Sequence, residues 1–302
     1  MKPKSFHLRW LGATLLLYLL LGLAYSVVVP LGEAPDEVDH FRYVQYLVQE
    51  QRFPVLSPVA TDNFTMEANQ PPLFYLLAAV LTGWIDMAEA TDFPLNRCFS
   101  FDPQDPGRQH FYLHSPAEGF PYRNTFLAFH LARFLALALG AATVLLAYGL
   151  GREIAPDDWR VAPLAAALLA FNPQFIFITA SVNNDVLTAL LGAAIVLLSI
   201  MAARRPSRPL YAGLGVVVGL GLLTKFALLA LWPIALLAAL WPIAAGWRQG
   251  GAVSSLQSFL PSRTQGGLRT FAQDRSLILR LRSRQVSNPR SPISSWFSAC
   301  HF

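Results

Sequence analysis

Long unbroken apolar runs constrain this chain more than any other feature. The first, "LGATLLLYLLLGLAYSVVV", begins at Leu11, and comparable runs lie near 126–150, 161–180, 184–203, 210–223 and 226–246. A stretch of about twenty apolar residues is long enough to cross a bilayer as a helix, and several in one chain are not compatible with a water-facing exterior. Of the 302 residues 54% are hydrophobic and 14% charged, and that charged share is about half the usual one for a soluble domain. The expected fold is therefore all-α, a polytopic transmembrane helical bundle of about six to seven spans over residues 1–248.

Charge placement excludes one class of function. The formal charge of +5 comes from the tail, where residues 249–302 hold seven Arg, no Lys and a single acid, Asp274. The membrane body is nearly neutral, so nucleic acid is not an expected partner. The tail is Ser/Arg-rich and lacks a run of spanning length, which predicts disorder. Contact with anionic lipid and an out-of-frame gene end are the alternatives for it. The start, "MKPKSFHLRW", precedes an apolar core longer than a cleaved signal would carry, so a retained signal anchor with its basic end in the cytoplasm is expected.

The basic loop "ARRPSRP" (203–209) orients the later spans with that loop inside. Counting back from it places "SVNND" (181–185) and the acidic loop 86–125 outside; counting forward from the amino terminus places 32–70 outside. The two counts agree only if "QPPLFYLLAAVLTGWI" (70–85) does not cross or one later span is broken. A re-entrant or broken element is therefore expected. Within 32–70, Val38, Phe41, Val44 and Leu47/Val48 recur at helical spacing up to Pro54, which predicts an amphipathic juxtamembrane helix in the first outer loop, lying along the membrane surface.

"GEAPDEVDHF" (32–41) concentrates acids where the first apolar run ends. Helix capping is the plain explanation, with Pro35 at the first helical position and Asp36 and Glu37 in the first turn. The chemical explanation uses the same spacing: Asp36 and His40 are i, i+4 and Glu37 and His40 i, i+3, so carboxylate and imidazole share a face that can take a proton or a divalent ion. Further along, Ser181 or Asn183 suits a helix cap, Asp185 supplies another outer acid, and Glu67 and Gln70 precede the Pro-Pro step. Lys225 interrupts "GLLTKFALLALWPI", either snorkelling or reaching a lipid phosphate. Asn63-Phe64-Thr65 is a formal sequon. His110, His114 and His130 lack a regular ligand spacing, which favours surface or interfacial roles over metal. Cys98 and Cys300 form no metal or disulfide framework, and no zinc signature or Gly-rich phosphate loop is present.

In combination, "PDEVDHFRYVQYLVQEQRFPVL", "QPPLFYLL", "FNPQFIFITASVNNDVLTALL" and "GLLTKFALLALWPI" resemble the GT-C class of polyprenyl-phosphate-sugar-dependent glycosyltransferases. The nearest branch is that of bacterial protein O-mannosyltransferases and aminoarabinose transferase-like proteins, and the resemblance covers roughly 10–246. It implies a multi-pass protein of a bacterial inner membrane that takes a lipid-linked sugar donor and glycosylates an acceptor on the outer face. The catalytic base then falls on Asp36, with Glu37 its neighbour. His40, Arg42, Glu67, Gln70, Asp185 and Lys225 are the substrate-contacting candidates, and Asp36, Glu37 and Asp185 the candidate ligands of a divalent metal ion. Members of the class carry more spans, so the chain is expected to be an amino-terminal portion. A transporter or carrier-lipid-binding protein is the rival from another class, and the scarcity of charges inside the spans counts against it. An inactive truncated remnant is the third reading.

Overall fold

The computed structural model describes residues 4–57, 59, 65–87, 93–100, 102, 104 and 109–248. The expected tail disorder, Asn63 and Phe64 of the sequon, and part of the acidic loop lie outside these residues. The chain divides into two compact units, Met1–Ala239 and Leu240–Phe302, and every candidate site residue belongs to the first. Nine α-helices run through the described residues: α1 Lys4–Val28, α2 Glu37–Glu50, α3 Leu73–Thr82, α4 Asn124–Ile154, α5 Val161–Ala170, α6 Pro173–Thr179, α7 Asp185–Arg204, α8 Arg208–Leu222 and α9 Trp232–Arg248. Extended pairing is limited among them to an isolated antiparallel bridge, Leu95 with Tyr112. The all-α membrane bundle is the observed architecture.

Among the described residues three helices are long and apolar enough to cross a bilayer, α1 from His7, α4 and α7, and the bent pair α5–α6 makes a fourth if it counts as one span. The remaining apolar helices are shorter. At 1.5 Å per residue the ten residues of α3 cover about 15 Å, half a hydrocarbon core. The run at 161–180 is broken rather than straight: α5 and α6 meet at 62°. Asn172 and Pro173 account for the break. The Asn172 side chain accepts the N–H groups of Gln174 and Phe175, restarting the helix, and Pro173 sits where its missing N–H costs nothing.

Helix α4 packs against α1, α3, α5, α6 and α7. Its inward face carries Ala128, Ala132, Ala136 and Gly140 at every fourth position, all buried, and small residues at that period let helix backbones approach closely where lipid offers no hydrophobic drive. Gly140 shows how tight the fit is. A Cβ there would collide with the Tyr18 hydroxyl of α1 and stand 2.7 Å from the Thr179 methyl of α6. Those two residues are themselves tied, Tyr18 donating to Thr179 Oγ1 at 2.7 Å.

The amphipathic helix forms as predicted, although it ends at Glu50 with Gln51 as its cap, ahead of Pro54. Its surroundings differ from the expectation. Val38, Phe41, Val44 and Leu47 are all buried in a core shared with Phe74, Tyr75 and Phe129, so the apolar stripe faces protein rather than lipid. Phe41 stacks on Phe129 of α4 at 4.3 Å and Tyr43 on Tyr75 of α3 at 4.1 Å. The stripe cannot distinguish the two partners, because helix and bilayer present the same apolar surface to it.

Candidate functional site

The turn between α1 and α2 sets the site. Gly32 adopts φ 84°, a conformation open to glycine at little cost, and Asp36 adopts φ 56°, also left-handed and less comfortable for a residue with a Cβ. That backbone places the two adjacent acids in opposite surroundings. Asp36 is exposed and makes no side-chain cap on α2, so capping does not explain it. Glu37 is fully buried.

Glu37 is saturated. Arg133, from the first third of α4, donates Nε to Oε1 at 2.7 Å and Nη2 to Oε2 at 2.6 Å. The same carboxylate accepts the N–H of Gly32 at 3.0 Å and of Val182 at 2.8 Å. Arg133 directs its other three donors to the carbonyls of Ser26, Val29 and Pro30 at the end of α1. All five guanidinium N–H groups and both carboxylate oxygens are thus accounted for, which is what a buried pair requires to offset its desolvation. This node joins the end of α1, the start of α2, α4 and the turn before α7. It leaves Glu37 no lone pair for a proton or a metal, and its expected part in catalysis and ligation is replaced by a positioning role.

Around the exposed Asp36 the chain assembles residues that are far apart in sequence. Leu73 N–H donates to Leu223 O at 2.8 Å, fastening the start of α3 to the end of α8. Asn184, buried just before α7, donates to Gln70 Oε1 at 3.2 Å and to Thr224 O at 3.4 Å, closing the same ring of segments. Lys225 then reaches Asp185 Oδ1 at 2.6 Å. The N-cap of α7 is Asn184 and makes no side-chain cap bond, while Asn183, one residue before it, accepts Val186 N–H with its Oδ1, so the cap expected at Ser181 or Asn183 falls one residue later. On α2, Thr65 donates to the carboxylate and carbonyl of Asp39 at 2.9 Å, which draws the 3-10 turn Met66–Asn69 and Glu67 alongside.

The electrostatics tie these groups into one field. Burial pushes the His40 imidazole down to about 4; the charges of Asp36, Asp185 and Asp39 oppose that and Lys225 adds to it. His40 is therefore neutral near pH 7, its Nδ1 2.7 Å from the Tyr75 hydroxyl. Burial also raises the Glu67 carboxyl above its usual value, Asp36 adding to the effect while a hydrogen bond with Gln70 and the Lys225 charge lower it and Asp39 again raises it. Glu67 Oε2 and Asn184 Oδ1 are buried without a protein partner. Two orphan acceptors beside a Lys and a solvent-facing carboxylate suit a ligand rich in hydroxyl donors.

Not every candidate joins this group. Arg42 pairs with Asp39 at 3.6 Å on the outer side of α2. The metal set Asp36, Glu37 and Asp185 does not converge: Glu37 belongs to Arg133 and Asp185 to Lys225, so these carboxylates do not fit an ion. Sequence reasoning missed Arg133 and Asn184. A lone Arg in the first half of an apolar span was the available signal, since such a charge needs a partner. Nothing in the sequence marked Asn184 beyond its neighbours.

Residues 128–261 match the model of the family described as dolichyl-phosphate-mannose-protein mannosyltransferase. No curated protein matches the chain. The match takes in Arg133, Asn184, Asp185 and Lys225 and starts after the segment that bears Asp36. It supports the GT-C resemblance and, with it, glycosyl transfer from a lipid-linked sugar donor by a multi-pass membrane protein.

Proposed function

We propose that this chain, whose residues 128–261 carry a lipid-linked-sugar transferase pattern, moves a sugar from a polyprenyl-phosphate donor to an acceptor hydroxyl at the outer face of a bacterial inner membrane, with Asp36 as general base. The observation that carries the proposal is the contrast at 36–37. Of two adjacent acids one is consumed by Arg133, and the other is held open to solvent in a left-handed backbone beside Glu67, Asp185 and Lys225.

In the reaction the acceptor oxygen attacks the anomeric carbon as its proton passes to the Asp36 carboxylate. The bond from that carbon to the phosphate oxygen breaks with its electron pair, and polyprenyl phosphate departs as an anion. Lys225, released from Asp185, meets that growing charge. Glu67 and Gln70 hold sugar or acceptor hydroxyls, and the neutral His40 forms the buried wall of the site with Tyr75. A single displacement of this kind inverts the anomeric configuration.

The test is reconstitution of the full chain in proteoliposomes with labelled polyprenyl-phosphate mannose and a cell-envelope acceptor fraction, following release of polyprenyl phosphate. Asp36→Asn is expected to lower turnover roughly 10²–10⁴-fold while the protein stays folded. Unchanged turnover in that variant would remove Asp36 from the reaction.

A further inference from the structure

A second cluster of ionisable groups lies on the other side of the same turn, and the proposed reaction makes no use of it. Glu33 precedes Asp36 by three residues and points toward the segment 109–118. Its Oε2 accepts Phe111 N–H at 3.0 Å and its Oε1 accepts Tyr112 N–H at 3.1 Å. Oε1 also lies 2.9 Å from His114 Nε2 and 3.8 Å from His110 Nδ1. His114 Nδ1 in turn lies 2.8 Å from Glu118 Oε2. One ligand atom each from Glu33, His110 and His114 falls within 4.8 Å of the others.

We propose that Glu33, His110 and His114 bind a divalent transition-metal ion of the zinc type, with Glu118 orienting His114. The donor set selects the ion class. Two imidazole nitrogens and one carboxylate suit zinc and its neighbours, whereas magnesium and calcium prefer oxygen throughout. Ligand atoms around a tetrahedral zinc with bonds of about 2.05 Å stand about 3.3 Å apart, a separation bracketed by the 2.9 and 3.8 Å found here. The arrangement behind His114 is that of a carboxylate–histidine–metal chain: Nδ1–H donates to Glu118, which leaves the Nε2 lone pair for the ion.

Glu33 is held too, by two backbone donors. Those N–H groups fix the carboxylate where it faces both imidazoles. His110 is half exposed, while Glu33 and His114 are mostly covered, so an ion has a route in from one side. Three protein ligands leave a further position for water. Such an ion clamps segment 109–118 onto the turn that carries Asp36, where Tyr112 already packs against Gly32. The proposal does not depend on the transfer reaction, because its readout is metal binding.

The full chain in detergent, stripped with chelator and desalted, is titrated with zinc chloride by calorimetry. A single saturable site is expected, insensitive to excess magnesium, lost in the His110→Ala/His114→Ala variant and weakened roughly 10–100-fold in Glu118→Gln. Cobalt substitution in the unaltered chain, which no misfolded variant can confound, should give the visible bands of a nitrogen-ligated ion of low coordination number. Absence of saturable zinc binding, or an octahedral, water-like cobalt spectrum, would overturn the proposal and leave His114 as a hydrogen-bonded link between Glu33 and Glu118. So would zinc binding that survives the double-histidine variant but disappears in Asp185→Asn, which would place the ion near Asp36.

Discussion

Asp36 and Glu37 are neighbours with the same charge, and the fold assigns them opposite tasks. Glu37 lies in a dry node where Arg133 and two backbone N–H groups exhaust its acceptors. Asp36 opens onto a wet mouth where Lys225, Asp185 and Glu67 have room to exchange partners. The dry node derives its worth from being complete. The wet mouth is useful because it is incomplete, with two buried acceptors unpaired and an ion pair half in solvent. A membrane protein can hold both side by side because the node locks the backbone that the mouth depends on.

The largest effect should come from breaking the node. Arg133→Ala or Glu37→Gln leaves a buried partner uncompensated and is expected to cost about 3–5 kcal/mol, measured as loss of thermal stability in detergent. A change of about 0.3 kcal/mol or less would mean that water already reaches the pair, erasing the contrast. At the mouth, Asp185→Asn should shift stability by no more than about 1 kcal/mol, since the Lys225 pair is screened by solvent. Asp36→Gly should be neutral or stabilising by up to about 1 kcal/mol, relieving the left-handed backbone while abolishing transfer.

The smallest effect is a pH dependence at Glu67. Its carboxyl is raised in the fold, so the unfolded chain gives up that proton first as pH rises. Its contribution is fully present below the unfolded value and is lost as pH climbs through the folded one. Glu67→Gln should therefore raise the melting temperature at neutral pH and leave it unchanged near about pH 3, below the ordinary carboxylate range. A gain of equal size at both values would show that charge has no part in it.

Much of the bundle was legible in the sequence because apolar runs of about twenty residues have few other uses. The run from Leu11 and those at 126–150 and 184–203 became α1, α4 and α7. The break in 161–180 was anticipated without a position; Asn172–Pro173 supplies it through a cap and a missing donor. The stripe of α2 was legible as a stripe, but not its partner. Among site residues, Lys225 was marked as an interruption of an apolar run, Asp185 as another outer acid, and Glu67 and Gln70 as polar residues ahead of the Pro-Pro step, and the structure brings them to one mouth. Arg133 escaped notice because its partner lies 96 residues away. His110 and His114 were set aside for their irregular spacing, which stops mattering once Glu33 approaches them through space.

By itself, then, the sequence determined that the chain is a helical membrane bundle with acids at the end of its first apolar run, since burial of apolar surface depends on local composition. Only the tertiary structure decided which acid is structural and which is free. That decision rests on a left-handed residue, an arginine from a distant helix and two backbone N–H groups, none of which leaves a periodic trace along the chain.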